Sequence, residues 1–306
     1  MTYNNICVRN KHICGQKSVR GMVWFDEWNI GLVQQEIGEV LRDGLRQVAW
    51  MKHDYRDRWF ADPFLLDVTE GEVVLLAEEF RKDKQRGCIA KLTIDKRTME
   101  LIERRVILEE GMVHFSFPYM VRQEGKVLIL PEKGKTGVWD AYLYDEEKEC
   151  CRKMACWCER PLADAVLIDD ETMMATELPE PDGKVLNIYE RKEGRFEKAY
   201  AVTFAENIAR NGGSVFEVEG VLYRPAQVSE KRYGEGVSIQ RMDKVGGQWT
   251  FEEVRRLYPQ DKRYNKGMHT FQVWPQENLI VVDGLRYRLA NAFYRLKSHG
   301  KHGNIA

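Results

Sequence analysis

The chain lacks a charge excess of either sign: Lys plus Arg number 47 and Asp plus Glu 48. A nucleic-acid-binding domain normally carries a clear basic surplus, so this balance argues against a nucleic-acid partner. Long apolar runs are missing too. None approaches the ~18 residues of a membrane span, and the opening MTYNNICVRNKHICGQK has no apolar secretory stretch. Cysteine is sparse and odd in number, seven in 306 residues, far below the density of a disulfide scaffold. These readings predict a cytoplasmic chain with reduced thiols. Four of the cysteines cluster in CCRKMACWC, Cys150 to Cys158, without paired CxxC spacing and with no histidine nearby. Strand and loop thiols are expected there, and no metal. There is no GxxxxGKS/T phosphate loop, no GxGxxG, no GxSxG elbow and no HExxH, so no cofactor is expected.

What is present is an ordinary globular balance, 43% apolar and 31% charged, with a repeat inside it. Five segments share one pattern: ADPFLLDVTEGEVVLLAEE from Ala61, FSFPYMVRQEGKVLILPE from Phe115, LADAVLIDDETMMATE from Leu162, GGSVFEVEGVLYRPAQ from Gly212 and HTFQVWPQENLIVVDG from His269. In each, a polar or small residue opens an apolar strand. A tight turn (TEG, QEG, DDE, VEG, QEN) leads into a second strand that ends on a polar group. The openings recur at roughly 50-residue intervals, the scale of propeller repeats. Further strand-like runs between them, such as CIAKLTI, DAYLYD, VLNIYE and VSIQRM, give each unit about four strands. One four-stranded unit cannot bury both faces alone, whereas units stacked around an axis bury them against each other. The expected fold is all-β, a five-bladed β-propeller over residues 24–285; a β-sandwich or two unrelated β domains are the alternatives.

Two stretches fall outside the repeat. Apolar positions at Val33, Ile37, Val40, Leu41, Leu45 and Val48 have helical spacing, which predicts a short helical insertion near 33–50. The preceding run MVWFDEWNIGLV is free to close the ring by joining the last blade. The tail 286–306 carries five Lys or Arg and no acid. It reads as a solvated helix or as a weak contact for an anionic surface.

In a propeller the innermost strand of each blade lines a central channel, so the repeat openings converge although they are far apart in sequence. They supply Asp62, His114 with Ser116, Asp164, Arg210, and His269 with Thr270. The second strands end in Glu78 and Glu79, Glu132, Glu177, Arg224 with Gln227, and Asp283. Carboxylates, amides, Arg and His around one well suit a carbohydrate, whose hydroxyls both donate and accept. Paired carboxylates are also the machinery of glycoside hydrolysis. Arg210 and Arg224 would clamp a phosphate or carboxylate bidentately, or would pair with neighbouring acids. His114 and His269 suit substrate hydrogen bonds, a structural role or a metal.

WFADPFLL resembles the first-blade motif of glycoside hydrolase family 43, LADAVLID its second acidic opening, and GMHTF its blade-five histidine motif. Together with HFSFPYM, LILPEK, ARNGGSVF, LYRPAQ and YGEGVSI, the string resembles the N-terminal domain of plant glucosamine inositolphosphorylceramide transferase and its bacterial stand-alone relatives, over about Trp24 to Gly284. That resemblance implies a five-bladed propeller acting in glycan or glycolipid assembly beside a glycosyltransferase or formyltransferase. It implies that Asp62 is a general base and Asp164 the acidic partner that tunes the acid. The family's general-acid Glu opening blade four is absent, because Ala209-Arg210-Asn211-Gly212-Gly213 stands there. Glu132 is the expected substitute, with Glu78 as the other choice. Glu78, His114, Ser116, Arg210, Arg224, Gln227 and His269 are the expected substrate binders. The expected activity is glycosidase-like, on a glycan, sugar phosphate or sugar nucleotide. A non-catalytic sugar-binding or partner-positioning propeller is the other reading, and a propeller that interacts through its rim is a third.

Overall fold

The computed structural model describes residues 17–19, 22–178 and 183–289. Cys7, Cys14 and the tail beyond Leu289 lie outside the described residues. In chain order, β1 (Lys17–Val19), β2 (Met22–Gln34), α1 (Ile37–Asp43) and β3 (Ala49–Trp50) precede the first blade. Blade one is β4 (Arg58–Val68), β5 (Glu72–Arg81), β6 (Arg86–Asp95) and β7 (Leu101–Leu108). Blade two is β8 (Ser116–Gln123), β9 (Lys126–Glu132), β10 (Trp139–Asp145) and β11 (Cys150–Cys158). Blade three is β12 (Leu162–Leu167), β13 (Thr172–Glu177), β14 (Val185–Lys192) and β15 (Arg195–Thr203). Blade four is β16 (Phe216–Val218), β17 (Val221–Val228), β18 (Gly236–Val245) and β19 (Gln248–Leu257). β20 (Phe271–Trp274) and β21 (Leu279–Leu289) begin blade five.

Each of the first four blades is an antiparallel meander, and the fifth is completed from the other end of the chain. β2 lies against β21 from Trp24↔Leu289 to Gln34↔Leu279 without a register break. The ring is thus closed by a long hydrogen-bonded ladder, which leaves no open seam between the first and last blades. This is a five-bladed β-propeller, as the repeat spacing predicts.

Apolar side chains fill the junctions between blades. Phe64 meets Phe117 edge-on at 4.9 Å between blades one and two, and Trp139 meets Phe196 at 6.5 Å between two and three. Phe204 meets Phe251 at 6.0 Å between three and four, and Phe216 meets Phe271 at 6.0 Å between four and five. Between five and one, Ile30, Leu279 and Val281 pack with Phe60, Leu65 and Leu75. These large rings give the blades the mutual burial that a single sheet cannot provide.

Two expectations need correcting. The helix covers only Ile37–Asp43 and stops at Gly44, whose φ of 88° is left-handed. Val33 belongs to β2, and Leu45 and Val48 reach the same apolar cluster from the loop. The helical spacing over 33–50 therefore reflects convergence on one cluster by three different elements. The basic stretch from Arg286 is no helix at its start, because β21 continues to Leu289. Arg286 and Arg288 both bond Glu27 of β2, a buried carboxylate that needs them. No helix among the described residues is long and apolar enough to cross a membrane.

Candidate functional site

The inner strands of blades one, two and three break in the same way. Pairing shifts between Ala61 and Phe64, between Ser116 and Tyr119, and between Ala163 and Val166. At each break one residue has positive φ: Asp62 (50°), Phe117 (44°) and Asp164 (49°). Asp tolerates this conformation through local hydrogen bonding, whereas a bulky Phe there is strained and persists only because its surroundings hold it. Bulges of this kind re-aim side chains. Here they bring the Asp62 and Asp164 carboxyls into the group around the axis.

The residues opposite these breaks on the second strands form a companion set. Glu78 pairs with Ala61, Glu132 with Ser116, Thr176 with Ala163 and Ala226 with Asn211. Asp283 lies one rung beyond the Phe271–Val282 pair of blade five. Acids thus reach the axis from four blades: Asp62 and Glu78, Glu132, Asp164, and Asp283. All five are almost fully buried.

Their connections are specific. Asp62 Oδ1 accepts the Thr270 hydroxyl at 2.9 Å, and Oδ2 accepts the Phe117 amide at 3.1 Å. The Asp62 amide donates to Asp283 Oδ2 at 3.3 Å. Asp283 Oδ1 accepts the amides of His269 and Thr270 at 2.8 and 3.0 Å, and His269 Nδ1 lies 2.6 Å from Asp283 Oδ2. The His269 ring stacks on Trp28 at 4.1 Å and meets the edge of Tyr233 at 5.3 Å. Gly234 is required beside it: its φ is 59°, and a Cβ there would lie 2.9 Å from the imidazole. On the other side, Arg210 Nε donates to Asp164 Oδ2 at 2.5 Å, and its Nη2 is 3.7 Å from Glu132 Oε2. Gln227 donates to the same Asp164 oxygen at 3.0 Å. The Asp164 amide donates to Glu132 Oε2 at 3.3 Å.

Burial and mutual repulsion shift these groups. Desolvation, with Asp283 and Asp164 nearby, pushes Asp62 up to about 6 despite the attraction of His269. Glu132 is raised by burial and by Asp164, against the pull of Arg210. Glu78 is raised well above the carboxylate range by burial and by Asp62, Glu132, Asp283 and Asp164. Burial alone would lower His269, but Asp283 and Asp62 outweigh it and raise it, while Asp283 is lowered in return. The pair therefore reads as imidazolium and carboxylate. Asp62, His269 and Asp283 place one ligand atom each within 4.8 Å of one another, close enough for a divalent ion. Such an ion would have to displace the Nδ1 proton that His269 shares with Asp283.

Asp62, Glu78, Glu132, Asp164, Arg210, Gln227 and His269 therefore converge as the sequence suggests. Ser116 is buried beside Glu132, and its hydroxyl has no hydrogen-bond partner. His114 stands behind Glu78, 3.4 Å from Oε1, and its Nδ1 accepts the Gly87 amide at 2.9 Å. Arg224 does not join the carboxyls. Its Nη2 donates to the carbonyls of Ile208 and Ala209 at 3.1 and 2.5 Å, and its guanidinium lies over Phe251 and Phe204. Asp283, Thr270, Trp28 and Tyr233 complete the site. Asp283 and Thr270 stand among the repeat-end residues, whereas Trp28 arrives on the ring-closing strand and Tyr233 on the β17–β18 loop. Neither of the last two shares the repeat pattern.

The missing blade-four acid has a structural cause. A Cβ on Gly212 would lie 2.7 Å from the His269 carbonyl oxygen, and one on Gly213 would lie 2.1 Å from that of Phe271. The backbone of blade five occupies the space where a side chain would project.

No protein-family model matches the sequence, and no curated protein matches it. Solved structures do. A Bombyx mori GH32 β-fructofuranosidase superposes with a TM-score of 0.50 at 9% identity, covering 78% of this chain and 61% of that one. The chain thus spans less than two thirds of that enzyme's length. A protein of unknown function from Dyadobacter fermentans gives 0.48 at 11% identity, covering 87% and 83% of the two chains. A thermostable family-43 glycoside hydrolase gives 0.46 at 12%, covering 80% and 93%. At such identity the likeness to the silkworm enzyme shows the propeller fold, and function has to be argued from the site.

Proposed function

We propose that the protein is a glycosidase-like enzyme that cleaves a glycan in the axial well, with Asp62 as the general base. The observation that carries this reading is the position of Asp62. Its two oxygens are fixed by Thr270 and Phe117, and its pKa of about 6 keeps it ionised but basic near neutral pH. Asp164 is the acidic partner, and its Oδ2 accepts hydrogen bonds from Arg210 and Gln227. Among the described residues, five carboxyl groups face one guanidinium, that of Arg210, and the imidazoles of His269 and His114, and Arg224 is engaged elsewhere. This balance favours a neutral sugar over a sugar phosphate or sugar nucleotide. Gln227 and His269 with its Trp28 backing are the binders nearest the acids. The motif resemblance supports a wider proposal: a role inside the cell in glycan or glycolipid assembly, beside a glycosyltransferase or formyltransferase.

The test is proton NMR of neutral glycosides incubated with the protein, following the release of reducing sugar. Turnover by wild type that Asp62→Asn abolishes supports the reading. Sugar binding without product from wild type supports the second reading, a non-catalytic binding propeller, which the glycine pair at the blade-four opening favours.

A further inference from the structure

We propose that Glu78 is the general acid of this site, in place of the acid that blade four cannot hold. The inference rests on the hydrolytic reading above and deepens it. Asp283, Glu132 and Glu78 occupy equivalent second-strand positions in blades five, two and one. The first two do the same structural work. Asp283 accepts the amide of Asp62 in the next blade round, and Glu132 accepts the amide of Asp164 in its next blade, each at 3.3 Å. Glu78 would do this for Phe117 of blade two, but that amide is already taken by Asp62 Oδ2 at 3.1 Å. Glu78 is thereby released from the role its equivalents perform.

Its surroundings fit a proton donor. Glu78 is 3% exposed, and Oε1 is buried with no hydrogen-bond partner. Among the described residues no Lys or Arg makes an ion pair with it, whereas Glu132 has Arg210 at 3.7 Å. Because His114 Nδ1 accepts the Gly87 amide, its ring proton sits on Nε2, on the side of Glu78 Oε1 at 3.4 Å. Gly87 makes the space, since a Cβ there would lie 2.5 Å from Oε1. Burial and the repulsion of four neighbouring carboxyls raise Glu78, which favours its protonated form.

In the reaction the O–H bond of Glu78 breaks as its proton passes to the glycosidic oxygen. The bond from that oxygen to the anomeric carbon breaks, its electron pair stays on the oxygen, and the alcohol leaves. A water oxygen forms the new bond to the anomeric carbon and gives its proton to Asp62. Solvent then removes that proton and restores the one on Glu78.

The experiment is a leaving-group series on wild type, Glu78→Gln and Glu132→Gln. Its probes are 2,4-dinitrophenyl, 4-methylumbelliferyl and methyl glycosides of arabinofuranose, xylose, galactose, glucose, mannose and fructose. Dinitrophenolate departs without a proton, so Glu78→Gln should keep its rate on that glycoside within about tenfold. On the methyl glycoside it should lose roughly 10²–10⁴-fold, together with the basic limb of the pH–rate profile. Glu132→Gln should slow both substrates by the same factor. Thermal unfolding midpoints confirm that each variant is folded. Equal losses by Glu78→Gln on both leaving groups, or leaving-group dependence in Glu132→Gln instead, would overturn the assignment while leaving hydrolysis intact. No turnover of any probe by wild type removes the hydrolytic reading itself, and the role of Glu78 with it.

Discussion

Blades one and four show how the same fold position takes opposite chemistry. At the opening of blade one, Asp62 turns its carboxyl to Thr270 and the Phe117 amide, and Glu78 stands opposite the preceding residue. At the opening of blade four, Gly212 and Gly213 present only backbone, and Ala226 stands in the place of Glu78. The cause is how closely the next blade approaches. The Gly213 position lies so near the Phe271 carbonyl that no side chain fits, and its φ of 154° favours glycine as well. Arg210, just before the pair, reaches back to Asp164 of blade three. Fivefold architecture therefore does not impose fivefold chemistry. The proposed reacting groups lie on blades one to three, blade five steadies Asp62, and blade four supplies packing together with Arg210 and Gln227, both bonded to Asp164.

This contrast can be broken at several points. The largest effect should come from Asp62→Asn, which removes the base but keeps an acceptor for the Phe117 amide. Turnover should fall by about 10²–10⁴-fold in kcat/KM with the unfolding midpoint little changed. A variant with near wild-type kcat/KM would move the base elsewhere. Arg210→Met leaves Asp164 and Glu132 buried without their cation and should cost about 3–5 kcal/mol in urea unfolding. A loss below 1 kcal/mol would mean that the acids are held by other means. Gly213→Ala sets a Cβ against the Phe271 carbonyl and should destabilise by roughly 2–3 kcal/mol. A neutral result would show that an acid was excluded from blade four for some other reason.

The smallest effect is a pH trend. Burial and neighbouring carboxyls hold the folded-state pKa of Glu78 well above the ordinary glutamate value, so folding takes up a proton. Stability is then greatest below that value and falls as pH rises towards the folded-state pKa. Glu78→Gln lacks this fall, so its advantage over wild type should be absent near pH 4 and grow with rising pH. A gain of about 1 kcal/mol corresponds to roughly 2–4 °C in the unfolding midpoint. An advantage that shrinks as pH rises would contradict a protonated Glu78.

The repeat made the five blades legible, because alternating strands around Gly and Glu turns have no competing period. The acids at strand starts and ends could be gathered at an axis for the same reason. The division of labour among them was not legible. Glu78 and Glu132 look alike in sequence, and only the route of the Phe117 amide separates them. Arg224 looked like a partner of Arg210, but strand alternation and two aromatic rings take it to backbone carbonyls instead. Trp28 was hidden because the strand carrying it joins a blade whose β20 and β21 lie more than 240 residues later. The helical spacing over 33–50 misled because side chains from a strand, a helix and a loop share one cluster.

The central claim is that a neutral sugar is bound and cleaved in the axial well. The most direct measurement is a crystal structure of Glu78→Gln soaked with the methyl glycoside of the sugar that wild type hydrolyses fastest. The account predicts an intact sugar in the well, with a water between Asp62 and the anomeric carbon. The glycosidic oxygen should lie within hydrogen-bonding distance of the substituted side chain at position 78. A sugar seated instead in the cavity of about 660 Å³ lined by His53, Tyr55 and Arg104, with the well empty of it, would contradict the account.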